Sequence, residues 1–145
     1  GDLLKAGLMA SPYLIKPNNH ELSALVGRTL TTPEELAKTA RELMEQYGIS
    51  KIVVSMGGDG ALYVTGSEIL YAEGLKVPVG STVGAGDSVV AALAVAEEAG
   101  MSLSDTVCLS TATGAANVMC SGTQAAEYSV IQELLPKVVF HQIEI

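Results

Sequence analysis

Gly80-Ser81-Thr82-Val83-Gly84-Ala85-Gly86, followed at once by Asp87-Ser88-Val89-Val90 and a mostly apolar run to Ala99, is the stretch on which the reading of this chain turns. A loop of small residues here opens a helix, predicted from about Asp87 to Ala99 and stopped by Gly100. Two glycines around one alanine let consecutive backbone N–H groups converge. A helix N-terminus adds the positive end of its dipole, so the loop makes an anion site without basic side chains. It is not a Walker loop, because no Gly-Lys-Ser/Thr follows. It also fails the dinucleotide fingerprint, since Val89 stands where the third glycine belongs, and this disfavours a dinucleotide-dependent oxidoreductase.

Working outward, Tyr13-Leu14-Ile15 is a strand candidate between Ser11-Pro12 and the breakers Lys16-Pro17-Asn18-Asn19, with a loop expected after it. Thr32-Pro33-Glu34-Glu35 gives an N-cap, a first-turn proline and a capping-box glutamate. Leu36, Ala40, Leu43, Met44 and Tyr47 then recur at helical spacing up to Gly48. Ile49 to Ser55 and Ala61 to Thr65 read as paired strands joined by the turn Met56-Gly57-Gly58-Asp59-Gly60, and Ile69-Leu70-Tyr71 as another short strand. Helices are predicted from Ser104 to about Met119 and from about Ala125 to Leu135, with a last strand at Val138 to Ile143. The expected order is β-α-β-β-β-α-α-α-β, an α/β layer structure with a parallel or mixed sheet.

The 145 residues are 48% hydrophobic, enough for one core, and their formal charge of −8 argues against a broad basic surface for nucleic acid or anionic lipid. An anionic ligand must therefore be held locally, by backbone N–H groups or a bound cation. The longest apolar run, Val89 to Ala96, is far shorter than the roughly 20 residues that span a bilayer, so a soluble chain is expected. Cys108 and Cys120 sit in an apolar stretch at no metal-ligand spacing, which fits buried small residues in a reducing cytoplasm.

Asp87 has two physical readings. An acid in the first turn of a helix is favoured by the dipole; an acid beside converging N–H groups also suits a base that accepts a hydroxyl proton next to a phosphoryl group. Asn18 and Glu21 can shape a turn and a helix start, Lys16 can be a solvated strand-end lysine, and Ser55, Gly57 and Gly60 suit a tight turn. His20 reads as a loop residue, and His141 as a strand residue far from any partner.

Gly84-Ala85-Gly86-Asp87 after Ser81-Thr82-Val83 resembles the second signature of the ribokinase-like, PfkB-type carbohydrate kinases, and Lys16-Pro17-Asn18-Asn19-His20-Glu21-Leu22 resembles their Asn-x-x-Glu segment. Ser55-Met56-Gly57-Gly58-Asp59-Gly60-Ala61 falls where that family has its nucleotide-phosphate turn, and Gly122-Thr123 where it closes the adenine pocket. Many relatives have Asp-Thr where this chain has Ser81-Thr82, which resembles the phosphofructokinase and tagatose-phosphate kinase branch.

The resemblance implies a ribokinase-like three-layer α/β/α fold and ATP-dependent transfer of a phosphoryl group to a sugar phosphate. It implies Asp87 as base, with the N–H groups of Gly84, Ala85 and Gly86 around the transferring group. Asn18 and Glu21 would orient Mg²⁺ and its waters, and Lys16, Asn18, Ser55, Gly57, Gly60, Asn117 and Gly122 would contact the nucleotide. Some relatives also bind a monovalent cation beside the anion hole, here near Ser81 and Val83. Ribokinase-like kinases of other sugars or of nucleosides share the same logic.

The resemblance covers the carboxy-terminal half of such a kinase. Residues 1–145 are thus expected to be its nucleotide-binding portion, without the lid sheet and sugar pocket and with no second domain. An exposed sheet edge and apolar surface should follow, met by homo-oligomerisation or by pairing with an amino-terminal half. A non-catalytic nucleotide-binding fragment is the alternative.

Overall fold

Strand β1 (Leu14–Ile15) runs parallel to β2 (Lys51–Ser55), with Leu14 opposite Lys51 and Ile15 opposite Ile52. Strand β3 (Ala61–Thr65) returns antiparallel to β2 in unbroken register from Lys51 and Thr65 to Ser55 and Ala61. With β4 (Ile69–Ala72) and β5 (Phe140–Gln142) they form a five-stranded mixed sheet in the order β1-β2-β3-β4-β5. The computed structural model describes residues 14–75, 85–119 and 128–144. The chain divides into two compact units, Gly1–Tyr71 with His141–Ile145, and Ala72–Phe140.

In the first unit the β-branched run is buried on both faces: Ile52, Val53 and Val54 on β2, and Leu62, Tyr63 and Val64 on β3. Continuous burial is why these strands read as apolar runs rather than as an alternation. Each such side chain is worth about 1.5–3 kcal/mol when fully buried. Helix α1 (Asn19–Val26) and helix α2 (Pro33–Tyr47) pack against β2, and α2 also lies on β3. Helix α2 follows the sequence reading closely. Thr32 caps it, Pro33 opens it, Leu36, Ala40, Leu43 and Met44 are buried, and Gly48 ends it. Arg41 ties the helix to the sheet through Nε, which donates to the Thr65 carbonyl at 2.8 Å.

The loop expected after β1 is instead helix α1, so two helices rather than one separate β1 from β2. Lys16-Pro17-Asn18-Asn19 does break the strand, yet Asn18-x-x-Glu21 is itself a helix-starting device. His20 consequently lies on a helix, where it is exposed.

In the second unit, helix α3 (Ala85–Ala99) and helix α4 (Leu103–Met119) form a hairpin, followed by α5 (Tyr128–Leu134) and a 3₁₀ turn over Leu135–Lys137. Helix α4 begins one residue earlier than expected because Ser102, not a later residue, caps it: the Asp105 N–H donates to Ser102 Oγ at 3.2 Å. Ala112, Ala116 and Leu134 form a small core, with Val130, Ile131 and Val138 packed on it. The last strand, Phe140–Gln142, is shorter than the predicted Val138 to Ile143, and the 3₁₀ turn Leu135–Lys137 lies ahead of it. Residues 125–127, expected to open the last helix, lie outside the described residues.

Candidate functional site

The parallel pairing of β1 and β2 brings residues 37 positions apart to one end of the sheet. Beyond the last regular pair, Asn18 bridges to Ser55, and the Ser55 N–H donates to the Pro17 carbonyl at 3.0 Å. The carboxyl ends of adjacent parallel strands are where open α/β sheets bind ligands. Lys16 and Ser55 are half-buried there.

Asn18 and Glu21 lock one another. The Glu21 N–H donates to Asn18 Oδ1 at 2.7 Å, and the Asn18 N–H donates to Glu21 Oε1 at 2.9 Å, a reciprocal capping box. Glu21 is exposed. The helix-shaping role is therefore real, and it fixes both side chains beside the Ser55 strand end.

After Ser55 the chain turns sharply. The Met56 N–H donates to the Gly60 carbonyl at 2.9 Å, and Gly57–Asp59 forms a 3₁₀ turn closed by the Gly60 N–H on the Gly57 carbonyl at 3.2 Å. Gly57 has φ 59 and Gly60 φ 106 with ψ −148, backbone that a Cβ disfavours. Both glycines are thus explained by the turn, whose tip is at the same sheet end as Asn18. Sequence reasoning missed the brace beneath it: Tyr71 Oη donates to the Asp59 carbonyl at 2.6 Å. Nothing in the spacing of Asp59 and Tyr71 signals this contact, which exists because β4 folds back along β3. His141 is not remote from partners as expected, for its ring lies 5.3 Å from that of Tyr71, tilted by 37°.

In the second unit Ala85, Gly86 and Asp87 are the first three residues of the 15-residue helix α3, at the positive end of its dipole. Gly84 and Gly122, and the stretch Ser81 to Val83, lie outside the described residues. Asn117 is buried in the last turn of α4. Among the described residues no buried side-chain N or O atom lacks a hydrogen-bond partner, so Asn117 is satisfied by the protein itself.

Cys108, half-buried on α4, has its thiol pushed up by burial and then by the Asp105 carboxylate, the opposite of an activated nucleophile. Among the described residues no three His, Cys, Asp or Glu side chains converge on a metal position, and no helix is long and apolar enough to cross a membrane.

The sequence pattern of the pfkB family carbohydrate kinases matches residues 2–129. The chain belongs to the pfkB carbohydrate kinase family. A pfkB relative, the 1-phosphofructokinase of Haemophilus influenzae, is 40% identical over 142 residues, 97% of this chain and 45% of that protein. The ATP-dependent 6-phosphofructokinase isozyme 2 of Escherichia coli is 36% identical over 135 residues, 92% of this chain and 44% of that protein. Among solved structures, phosphofructokinase-2 from Escherichia coli in complex with potassium superposes with a TM-score of 0.86 at 36% identity, over 94% of this chain and 45% of that one. This pfkB chain spans about half the length of the curated relatives it matches.

Proposed function

We propose that this chain is the nucleotide side of a kinase that transfers a phosphoryl group from ATP to a hydroxyl of a sugar phosphate, with Asp87 as the base. The observation that carries the proposal is the position of Ala85-Gly86-Asp87 as the first turn of a long helix in a pfkB-family chain. The N–H groups of a helix's first turn have no intrahelical partner and are free to meet an anion. The carboxylate takes the proton from the attacking hydroxyl while the N–H groups stabilise charge on the phosphoryl oxygens. Gly84 belongs to the same anion hole.

The sheet end of the first unit suits the nucleotide. Ser55 and the Gly57 to Gly60 turn offer a hydroxyl and close backbone approach to phosphate, and Lys16 a compact positive charge. Asn117 and Gly122 are nucleotide contacts by the family resemblance alone. The donor set of Asn18 and Glu21 fits Mg²⁺. One oxygen of each is engaged in the capping box, leaving the second Glu21 oxygen and a second Asn18 lone pair for an ion that keeps most of its waters. Bound Mg²⁺ would neutralise charge on the ATP phosphates.

The names of the relatives, all three phosphofructokinases and one of them ATP-dependent, support ATP and a phosphorylated sugar as substrates. The potassium complex supports a monovalent cation, which the family resemblance alone would put near Ser81 and Val83. A cytoplasmic location and either self-association or pairing with a further half of the kinase belong to the same reading.

Asp87→Asn in the full-length kinase tests the base. Turnover should fall about 10²- to 10⁴-fold with Tm unchanged; turnover close to that of the parent would overturn the assignment.

A further inference from the structure

Gly114 stands apart from Gly27, Gly48, Gly57, Gly66 and Gly100, at which an added Cβ would meet nothing within 4 Å. At Gly114, buried in the middle of α4, a Cβ would lie 2.7 Å from Val89 Cγ2 on α3. Carbon atoms at rest sit about 3.5–4.0 Å apart, so one helix would have to yield by about 0.8 Å. Val89 cannot swing aside, because a β-branched side chain on a helix has essentially one χ1 rotamer. Nor can α3 slide freely, since Ala92, Leu93 and Ala96 are buried along it.

Val89 is two residues beyond Asp87. It is also the residue that occupies the third-glycine position of a dinucleotide fingerprint, where glycine serves close packing of the helix. Here the close approach is supplied from the opposite side. The missing glycine is on the neighbouring helix, and it receives the valine.

Ser110 and Asn117 lie at i−4 and i+3 from Gly114, so they share its side of α4. The Ser110 hydroxyl folds back onto the Thr106 carbonyl at 2.7 Å. Val89 lies in the second turn of α3, so its close approach to Gly114 acts near the N-terminus of that helix.

We infer that Gly114 is a positioning residue for phosphoryl transfer: by receiving Val89 it sets where the first turn of α3, with Ala85, Gly86 and Asp87, stands. The inference rests on the proposed role of that turn. It adds a residue 27 positions away that touches no substrate and acts through helix placement. A displacement of about 1 Å at a reacting group is enough to lower turnover about 100-fold.

The experiment is a double-mutant cycle in the full-length kinase with ATP, Mg²⁺ and fructose 1-phosphate or fructose 6-phosphate, whichever the parent enzyme turns over. It comprises Gly114→Ala, Val89→Ala and the pair, each with kcat, both KM values and Tm. Gly114→Ala should lower kcat about 10- to 100-fold with both KM values within about twofold of the parent. Adding Val89→Ala removes the struck methyl and should return kcat to within about threefold of Val89→Ala alone. A merely structural glycine would lower Tm and leave kcat in place, and that result overturns the inference. So does a kcat loss that Val89→Ala fails to rescue.

Should Gly114→Ala alone not fold, Val89→Ala decides: a kcat loss of about 10-fold with both KM values kept supports the inference, and an unchanged kcat overturns it. Asp87→Asn, assayed alongside, separates the two ideas. Retained turnover there removes the base, whereas rescue of Gly114→Ala by Val89→Ala reports helix placement without passing through the carboxylate.

Discussion

Glu35 shows how a single residue can carry two roles that the sequence only half reveals. Its N–H donates to Thr32 Oγ1 at 3.1 Å, and its Oε1 accepts from the hydroxyls of Thr31 at 3.0 Å and Thr32 at 3.2 Å. The Thr31 hydroxyl first, and that of Thr32 second, hold its carboxyl below the ordinary glutamate value, although it is fully exposed. A carboxyl with a lowered folded-state pKa contributes stability above its unfolded value, near 4.5, and loses that contribution as pH falls through the folded value. Thr31→Val should therefore raise the Glu35 titration midpoint, followed by NMR, and reduce the decline of stability on the acid side; an unmoved midpoint would show that the Thr31 hydroxyl is not its cause. The Thr32-Pro33-Glu34-Glu35 run was legible as a cap in the sequence. The part played by Thr31 was not, because it depends on where the chain enters the helix.

At the scale of elements, local signals and neighbours contributed separately. Helix α2 has its boundaries written in residues 32 and 48, and Thr32→Ala in the full-length protein should lower stability by about 1 kcal/mol, read as a shift in the urea midpoint without a change of slope. Of helix α1 only a start at Asn18 and Glu21 was read, for a physical reason. It has eight residues and only Leu22 fully buried, so no long apolar period marks it. The residues were singled out for another role, as a magnesium pair. The structure shows the same two side chains starting a helix, with one Glu21 oxygen left outside the capping box. Ser55 and the glycine turn were placed correctly on a strand pair, but the Asn18 to Ser55 bridge requires the parallel β1 and β2 pairing, which no local pattern encodes.

At the scale of the whole molecule, membership of the pfkB family meets a chain that spans 45% of a curated relative. On α3, Val90 and Val95 are 49% and 55% exposed with Ala91 and Ala94 between them, an apolar strip on a helix otherwise packed along α4. Calorimetric titration of ATP with Mg²⁺ into the 145-residue chain tests how much of the nucleotide site it carries alone. Saturable binding that weakens when Mg²⁺ is withheld is the expected outcome; no heat above dilution would leave the chain a structural part of the kinase only. Binding without turnover would favour the reading of a nucleotide-binding fragment, for which the half-length match is the supporting observation.

The sequence by itself determined the family and the order of strands and most helices, because these rest on residue types at short spacing: caps, turns, small residues and apolar periods. Only tertiary structure decided that Asn18 meets Ser55, that Tyr71 braces the glycine turn beside His141, and that Gly114 receives Val89. Each of these joins residues at least 12 positions apart, and the approach depends on strand pairing or helix packing that closes only when the core does. The negative charge of the chain pointed to an anion held by backbone rather than by basic side chains; the close approach of Gly114 to Val89 lay beyond its reach, because it joins two helices that meet only in the folded chain.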